Sequence, residues 1–257
     1  MKTLTRKAIV TLLVIAAVFA TLSCSSSKQP QALAPKTAQM NYEMALNYLN
    51  NNEPAMAIRT LTIAIEEDPK NADAHHLLGF ILMGRKQYQE AEKHFLDALA
   101  VKPDMLNCKN NLGVNYLFLN QWANAARIFT ELTKAPLYTS PWLAFANLGW
   151  ANYKLGKIKT AIDNTEMALF LNPQMCLAAN NLGIMYEELR QSSTAIKYLN
   201  DAANECKTYA EPHLHLAMIY SQQGNTGKAL SHLKKCTDLS PRSDLGTRCR
   251  EHINAIR

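Results

Sequence analysis

The chain has 257 residues, of which 48 % are apolar and 19 % charged, and this excludes an intrinsically disordered chain. Its formal net charge is +6, and 6 − 3 = +3 remains once Lys2, Arg6 and Lys7 are set aside; no basic stripe with interleaved aromatics appears, so a nucleic-acid-binding surface is excluded. Gly and Pro are scarce while Ala, Leu, Asn and Lys abound, which favours helices.

The amino-terminal segment comes first. Residues 1–7 are basic, and residues 8–22 form an uncharged apolar run. Such a run is too short for a comfortable membrane span and suits the core of a signal peptide, expected over residues 1–23. Ser23-Cys24 follows it and resembles a bacterial lipobox, with Thr21 where Leu is typical and Leu22 one place late. The resemblance implies that Cys24 becomes the first mature residue and carries acyl chains. The alternative is ordinary signal-peptidase cleavage with Cys24 incidental. With Ser25 rather than Asp after the Cys, lipoprotein sorting implies a lipid-anchored protein of the outer membrane, facing the periplasm. Residues 24–37 hold Pro30 and Pro35 and no apolar period, and read as a flexible tether.

A periodic pattern occupies the rest. Leu78-Gly79, Leu112-Gly113, Leu148-Gly149 and Leu182-Gly183 are each followed twelve residues later by Ala, at Ala91, Ala125, Ala161 and Ala195. Pro69, Pro103, Pro173 and Pro241 fall near the ends of units. A period of about 34 residues with these marks is the signature of the tetratricopeptide repeat. The expected units are 38–71, 72–105, 106–141, 142–175, 176–209 and 210–243. Each is two antiparallel helices, in which small residues permit close approach and larger ones fill the gap. Six units stack into an all-α, right-handed α-solenoid, because an isolated repeat cannot bury enough surface. Residues 244–257 carry Leu245, Cys249, Ile253 and Ile256 at near-helical spacing and are expected to cap the last repeat.

The third unit is two residues longer than the others. The extra length falls near Ala135-Pro136-Leu137-Tyr138-Thr139-Ser140-Pro141, where Pro136 stops one helix and Pro141 opens the next. This loop lies between Asn110-Asn111-Leu112-Gly113 and Ala144-Phe145-Ala146-Asn147-Leu148-Gly149. With a lipoprotein signal and six repeats, these segments resemble the type IV pilus pilotin family, the PilF/PilW/Tgl-type outer-membrane lipoproteins. The resemblance covers nearly all of the mature chain, and Pro136, Leu137, Tyr138 and Pro141 are its most specific part. It implies binding of secretin subunits, and help with their delivery to, and multimerisation in, the outer membrane. The alternative is a repeat-lipoprotein adaptor that scaffolds cell-wall enzymes or envelope proteases.

Nothing in the sequence points to an enzyme. There is no Gly-rich phosphate loop and no nucleophile elbow. No catalytic residue, cofactor or small-molecule substrate is expected. No metal site is expected either. No His-x-x-x-His occurs, and His213 and His215 sit two apart on a helix, pointing to different sides. No Cys-x-x-Cys occurs among Cys108, Cys176, Cys206, Cys236 and Cys249. An oxidising compartment allows one bridge among Cys206, Cys236 and Cys249; free thiols packed as small apolar residues are the alternative.

The binding surface is expected on the concave face, along the first helix of each unit. Its second, fifth, ninth and twelfth positions supply Phe80, Met83, Asn110, Val114, Leu117, Ala146, Trp150, Tyr153, Asn180, Ile184, Leu214 and Met218. The face reads apolar with Asn interspersed and lacks a Lys/Arg clamp for a carboxylate. The expected ligand is an apolar or amphipathic protein segment laid in a groove. Val114, Trp150 and Ile184 share the ninth position, and Trp150 is the expected centre. The alternative for any of these side chains is core between neighbouring repeats.

Overall fold

The computed structural model describes residues 34–256, so the expected signal peptide and Cys24 lie outside the described residues. Thirteen helices and no strand occur among the described residues. They form six consecutive hairpins and a final single helix. The hairpins are α1 (Ala34–Asn50) with α2 (Pro54–Glu67), α3 (Ala72–Gly84) with α4 (Tyr88–Val101), and α5 (Leu106–Phe118) with α6 (Trp122–Thr133). Then come α7 (Pro141–Lys154) with α8 (Ile158–Leu171), α9 (Cys176–Glu188) with α10 (Ser192–Glu205), and α11 (Glu211–Gln222) with α12 (Thr226–Leu239). The last helix, α13 (Asp244–Ile256), packs on α12. Residues 34–37, read from sequence as part of the tether, instead form the first turn of α1. Pro35 falls in that turn, where a missing N–H breaks no helical bond. No described helix is long and apolar enough to cross a membrane.

Each hairpin closes through the same small residues. Ala57, Ala91, Ala125, Ala161, Ala195 and Ala229 occupy one repeat position and are fully buried. Gly79, Gly113, Gly149 and Gly183 face them across the hairpin. A Cβ at Gly113 would lie 2.7 Å from the Phe129 ring, and one at Gly79 would lie 2.8 Å from Phe95. Close approach of two helices thus requires Gly there, and the aromatic rings fill the space so created. The turn between the paired helices needs a left-handed residue in every repeat. It is Asn52, Lys86, Asn120, Gly156, Arg190 or Gly224, each with φ between 57° and 75°.

Successive hairpins stack so that α3, α5, α7, α9 and α11 touch in sequence and form the inner layer. The core is continuous from Ala45 to Ala151, with Phe95, Phe129 and Leu112 at its centre. Beyond α7 it divides into smaller clusters rich in Ala. In the fourth repeat Thr165 stands where its neighbours have Phe95, Phe129 and Leu199. It is fully buried and donates its hydroxyl to the Ala161 carbonyl at 2.7 Å.

Two disulfides staple this carboxy-terminal half. Cys176–Cys206 ties the start of α9 to the end of α10, and Cys236–Cys249 ties α12 to α13. Sequence left one bridge or none open and did not include Cys176. The fold makes two because the ends of an antiparallel hairpin meet, bringing the Cα atoms 30 residues apart in sequence to 6.1 Å. Cys108 stays a buried free thiol whose pKa burial pushes up to about 12, which keeps it protonated and inert.

Candidate partner-binding groove

The inner layer sorts the expected groove positions by depth. At the ninth position Phe80 is 51 % exposed, and Val114, Trp150, Ile184 and Met218 are half-buried. At the twelfth, Met83, Leu117 and Tyr153 are half-buried as well. The fifth position is mostly core. Ala146, Asn180 and Leu214 are essentially inaccessible, so these three do not face a groove. Asn180 is the sharpest correction, since its side-chain O and N are buried and make no hydrogen bond. Val114 also leans on the core of the first repeats, so its outer surface is small.

Tyr153, Ile184 and Met218 come together in one depression across α7, α9 and α11, with Glu187, Glu188 and His215 at its rim. The Tyr153 hydroxyl donates to Glu188 Oε2 at 2.5 Å. Burial, that hydrogen bond and the Glu188 charge push the phenol up to about 12, so it stays a neutral donor. His215 Nδ1 lies 3.3 Å from Glu187 Oε2. The Trp150 ring packs on Tyr153 with centroids 5.2 Å apart, so it flanks the depression. Lys154 Nζ sits 5.7 Å from the Trp150 centroid and 5.4 Å from that of Trp122. The result is an apolar floor with a polar edge that carries the Glu187 and Glu188 carboxylates and the Arg190 guanidinium. It fits an apolar protein segment better than a charged small molecule.

The longer third repeat supplies the second feature. Pro136 is exposed and follows the end of α6; Pro141 is the first residue of α7. Between them Tyr138 turns inward to 7 % exposure, and its hydroxyl donates to Asn110 Oδ1 at 3.0 Å. Leu137 beside it is 83 % exposed. Asn110, read from sequence as a groove residue, therefore holds the loop onto α5. The loop and α5 enclose a shallow cleft lined by His76, Met105, Leu106, Leu137 and Tyr138. Sequence missed this Asn–Tyr pair because its members are 28 residues apart.

The histidines separate as their spacing predicts: His215 pairs with Glu187, while His213 meets His232 at 3.0 Å. One triad that local spacing does not reveal forms between α3 and α4, from His75, His94 and Asp97.

Models of the tetratricopeptide repeat match residues 42–105 and 210–243. The type IV pilus assembly protein PilF of Pseudomonas aeruginosa is 26 % identical over 147 residues, 57 % of this chain and 58 % of that protein. The chain thus matches a little over half the length of that relative. A crystal structure of PilW, a type IV pilus biogenesis factor, superimposes with a TM-score of 0.72 at 23 % identity, covering 82 % of this chain and 97 % of that one. The structure of Pseudomonas aeruginosa PilF gives 0.68 at 21 % identity, covering 85 % and 99 %. The chain therefore contains tetratricopeptide repeats, is homologous over a little more than half its length to the type IV pilus assembly protein PilF, and shares its fold with PilW and PilF.

Proposed function

We propose that this protein is a pilotin-like lipoprotein of the outer membrane. It binds secretin subunits in the periplasm and promotes their targeting and multimerisation for type IV pilus assembly. Its anchor is an acylated Cys24, and residues 24–33 tether the solenoid. The observation that carries this reading is the apolar depression of Tyr153, Ile184 and Met218, flanked by Trp150, in a chain homologous to a pilus assembly protein. Two disulfides support an oxidising compartment such as the periplasm. The exposed Leu137 beside an anchored Tyr138 offers a second, smaller contact for the same partner.

The test is a strain lacking the gene, complemented with the wild type or with Cys24→Ala. Secretin multimers are read on unboiled gels by immunoblot, and twitching is scored in parallel. The expected result is loss of multimers without the gene, and a soluble, unlabelled protein with poor multimer recovery for Cys24→Ala. Normal multimers and normal twitching in the deleted strain would overturn the reading.

A further inference from the structure

His75 lies on α3 and His94 on α4, 19 residues apart, and their Nδ1 atoms meet at 3.0 Å. Asp97, one turn beyond His94, brings Oδ2 to 3.7 Å from His75 Nδ1. One ligand atom from each of the three residues falls within 4.8 Å of the other two. Two imidazole nitrogens bound to one zinc-sized ion at about 2.0–2.1 Å stand roughly 3.3 Å apart in tetrahedral geometry, so little movement is needed.

The orientation of His75 is set from outside the triad. Its Nε2 lies 3.3 Å from the Pro69 carbonyl oxygen, a contact that places the ring proton on Nε2. The Nδ1 lone pair then faces His94 and accepts a hydrogen bond from its Nδ1–H, a proton that a metal ion would replace. A ring nitrogen held by a backbone carbonyl while the other faces outward is the usual support for a metal-ligating His. His75 is only 5 % exposed, so the ring is fixed, whereas the Asp97 side chain is 59 % exposed and leaves a path from solvent. Glu90 adds negative charge near His94, and Lys93 opposes it.

The sixth repeat provides an internal comparison. His213 and His232 occupy the same repeat positions, also with Nδ1 atoms 3.0 Å apart. No other repeat has His at either position. The place of Asp97 is taken there by Lys235, and His213 Nε2 is buried without a hydrogen bond. The sixth repeat thus has the His pair without the carboxylate, and with a cation in its place.

We propose that His75, His94 and Asp97 form a binding site for one divalent transition-metal ion of the zinc class, with the remaining coordination position open to solvent. Two imidazoles and one carboxylate suit Zn²⁺, Co²⁺, Ni²⁺ or Cu²⁺ and disfavour Mg²⁺ and Ca²⁺, which take oxygen ligands. The ion would tie α3 to α4 on a part of the solenoid separate from the depression on α7, α9 and α11.

The experiment uses the purified mature chain after chelator treatment and dialysis. Co²⁺ is titrated while its visible d–d bands are recorded, and Zn²⁺ is then used to displace it. The expected result is saturation at one equivalent, with Asp97→Asn weakening binding at least tenfold and leaving the circular dichroism spectrum unchanged. Lys235→Asp is expected to add a second equivalent by supplying the missing carboxylate beside His213 and His232. A wild type that shows no saturable binding, or an Asp97→Asn variant that binds as tightly as the wild type, would overturn the proposal.

Discussion

At the residue scale, Trp150 and His213 each carry a consequence. Trp150 is half-buried and packs on Tyr153 rather than within a core cluster. Truncating a fully buried Trp costs about 3–5 kcal/mol. With part of the ring already in water, Trp150→Ala should cost well under that range. An aromatic at the centre of an interface commonly contributes about 2 kcal/mol or more to binding. The expected outcome is a modest drop in melting temperature with at least a tenfold loss in pull-down of a purified secretin domain. A large loss of stability with binding retained below the melt would instead make Trp150 core. His213 bears on pH. Burial first, then Lys235 and His232, lower its pKa from 6.5 to about 4. The unfolded chain takes up a proton near 6.5 and the native state only near 4, so stability falls as pH drops through that window. His232 shifts in the same direction, by burial and then by Lys235 and Lys228. Melting temperatures measured across this range should decline, and decline less steeply in His213→Gln; an equal slope in the variant would contradict the assignment.

At the scale of the element, the hairpin works by close approach. Gly113 has no room for a methyl group, because the ring of fully buried Phe129 fills it. Overpacking of this kind costs about 1–3 kcal/mol, more than the roughly 1 kcal/mol that Ala adds over Gly in a helix. Gly113→Ala should therefore destabilise the protein. Gly84 ends α3 with nothing near its missing Cβ, and Gly84→Ala should be neutral or stabilise by up to about 1 kcal/mol. Opposite signs in two thermal melts check the argument, and the same sign in both would refute it. Side-chain caps contribute less, since among the described helices only Asn71, Asn225 and Ser243 accept a capping hydrogen bond. Packing, more than capping, holds these short helices, as is usual for helices this length.

At the scale of the molecule, the two halves are held differently. The first three repeats and α7 share one continuous core that contains both fully buried Phe residues. Small clusters of Ala, Leu and Cys fill the rest, and both disulfides lie there. Solenoid stability is a sum of repeat and interface contributions, so a weaker half can open by itself. The Cys236–Cys249 bridge closes a short loop of sequence separation 13, for which the chain-entropy model gives about 3 kcal/mol. Replacing both cysteines with Ala should therefore raise hydrogen exchange in α11, α12 and α13 while α3 to α6 stay protected. Uniform deprotection along the chain would show that the solenoid unfolds as one unit.

The all-helical repeat fold was legible in the sequence because its constraints are local. Gly or Ala must stand where two helices touch, and the same need returns in every hairpin about 34 residues later. The amphipathic tail of α13 was readable for the same reason, since Leu245, Ile253 and Ile256 face one cluster. Tertiary structure alone decided the rest. Packing within the solenoid buried Asn180 and left Trp150 half-exposed, although both occupy inner-helix positions with the same sequence warrant. Hairpin closure joined Cys176 to Cys206 and His75 to His94, pairs whose spacings of 30 and 19 residues match no local motif. The longer loop of the third repeat folded back on α5 and set Tyr138 against Asn110. In each case the partner comes from another helix or from a loop between helices. Periodicity records which face a helix buries, but not which side chain of its neighbour meets it there.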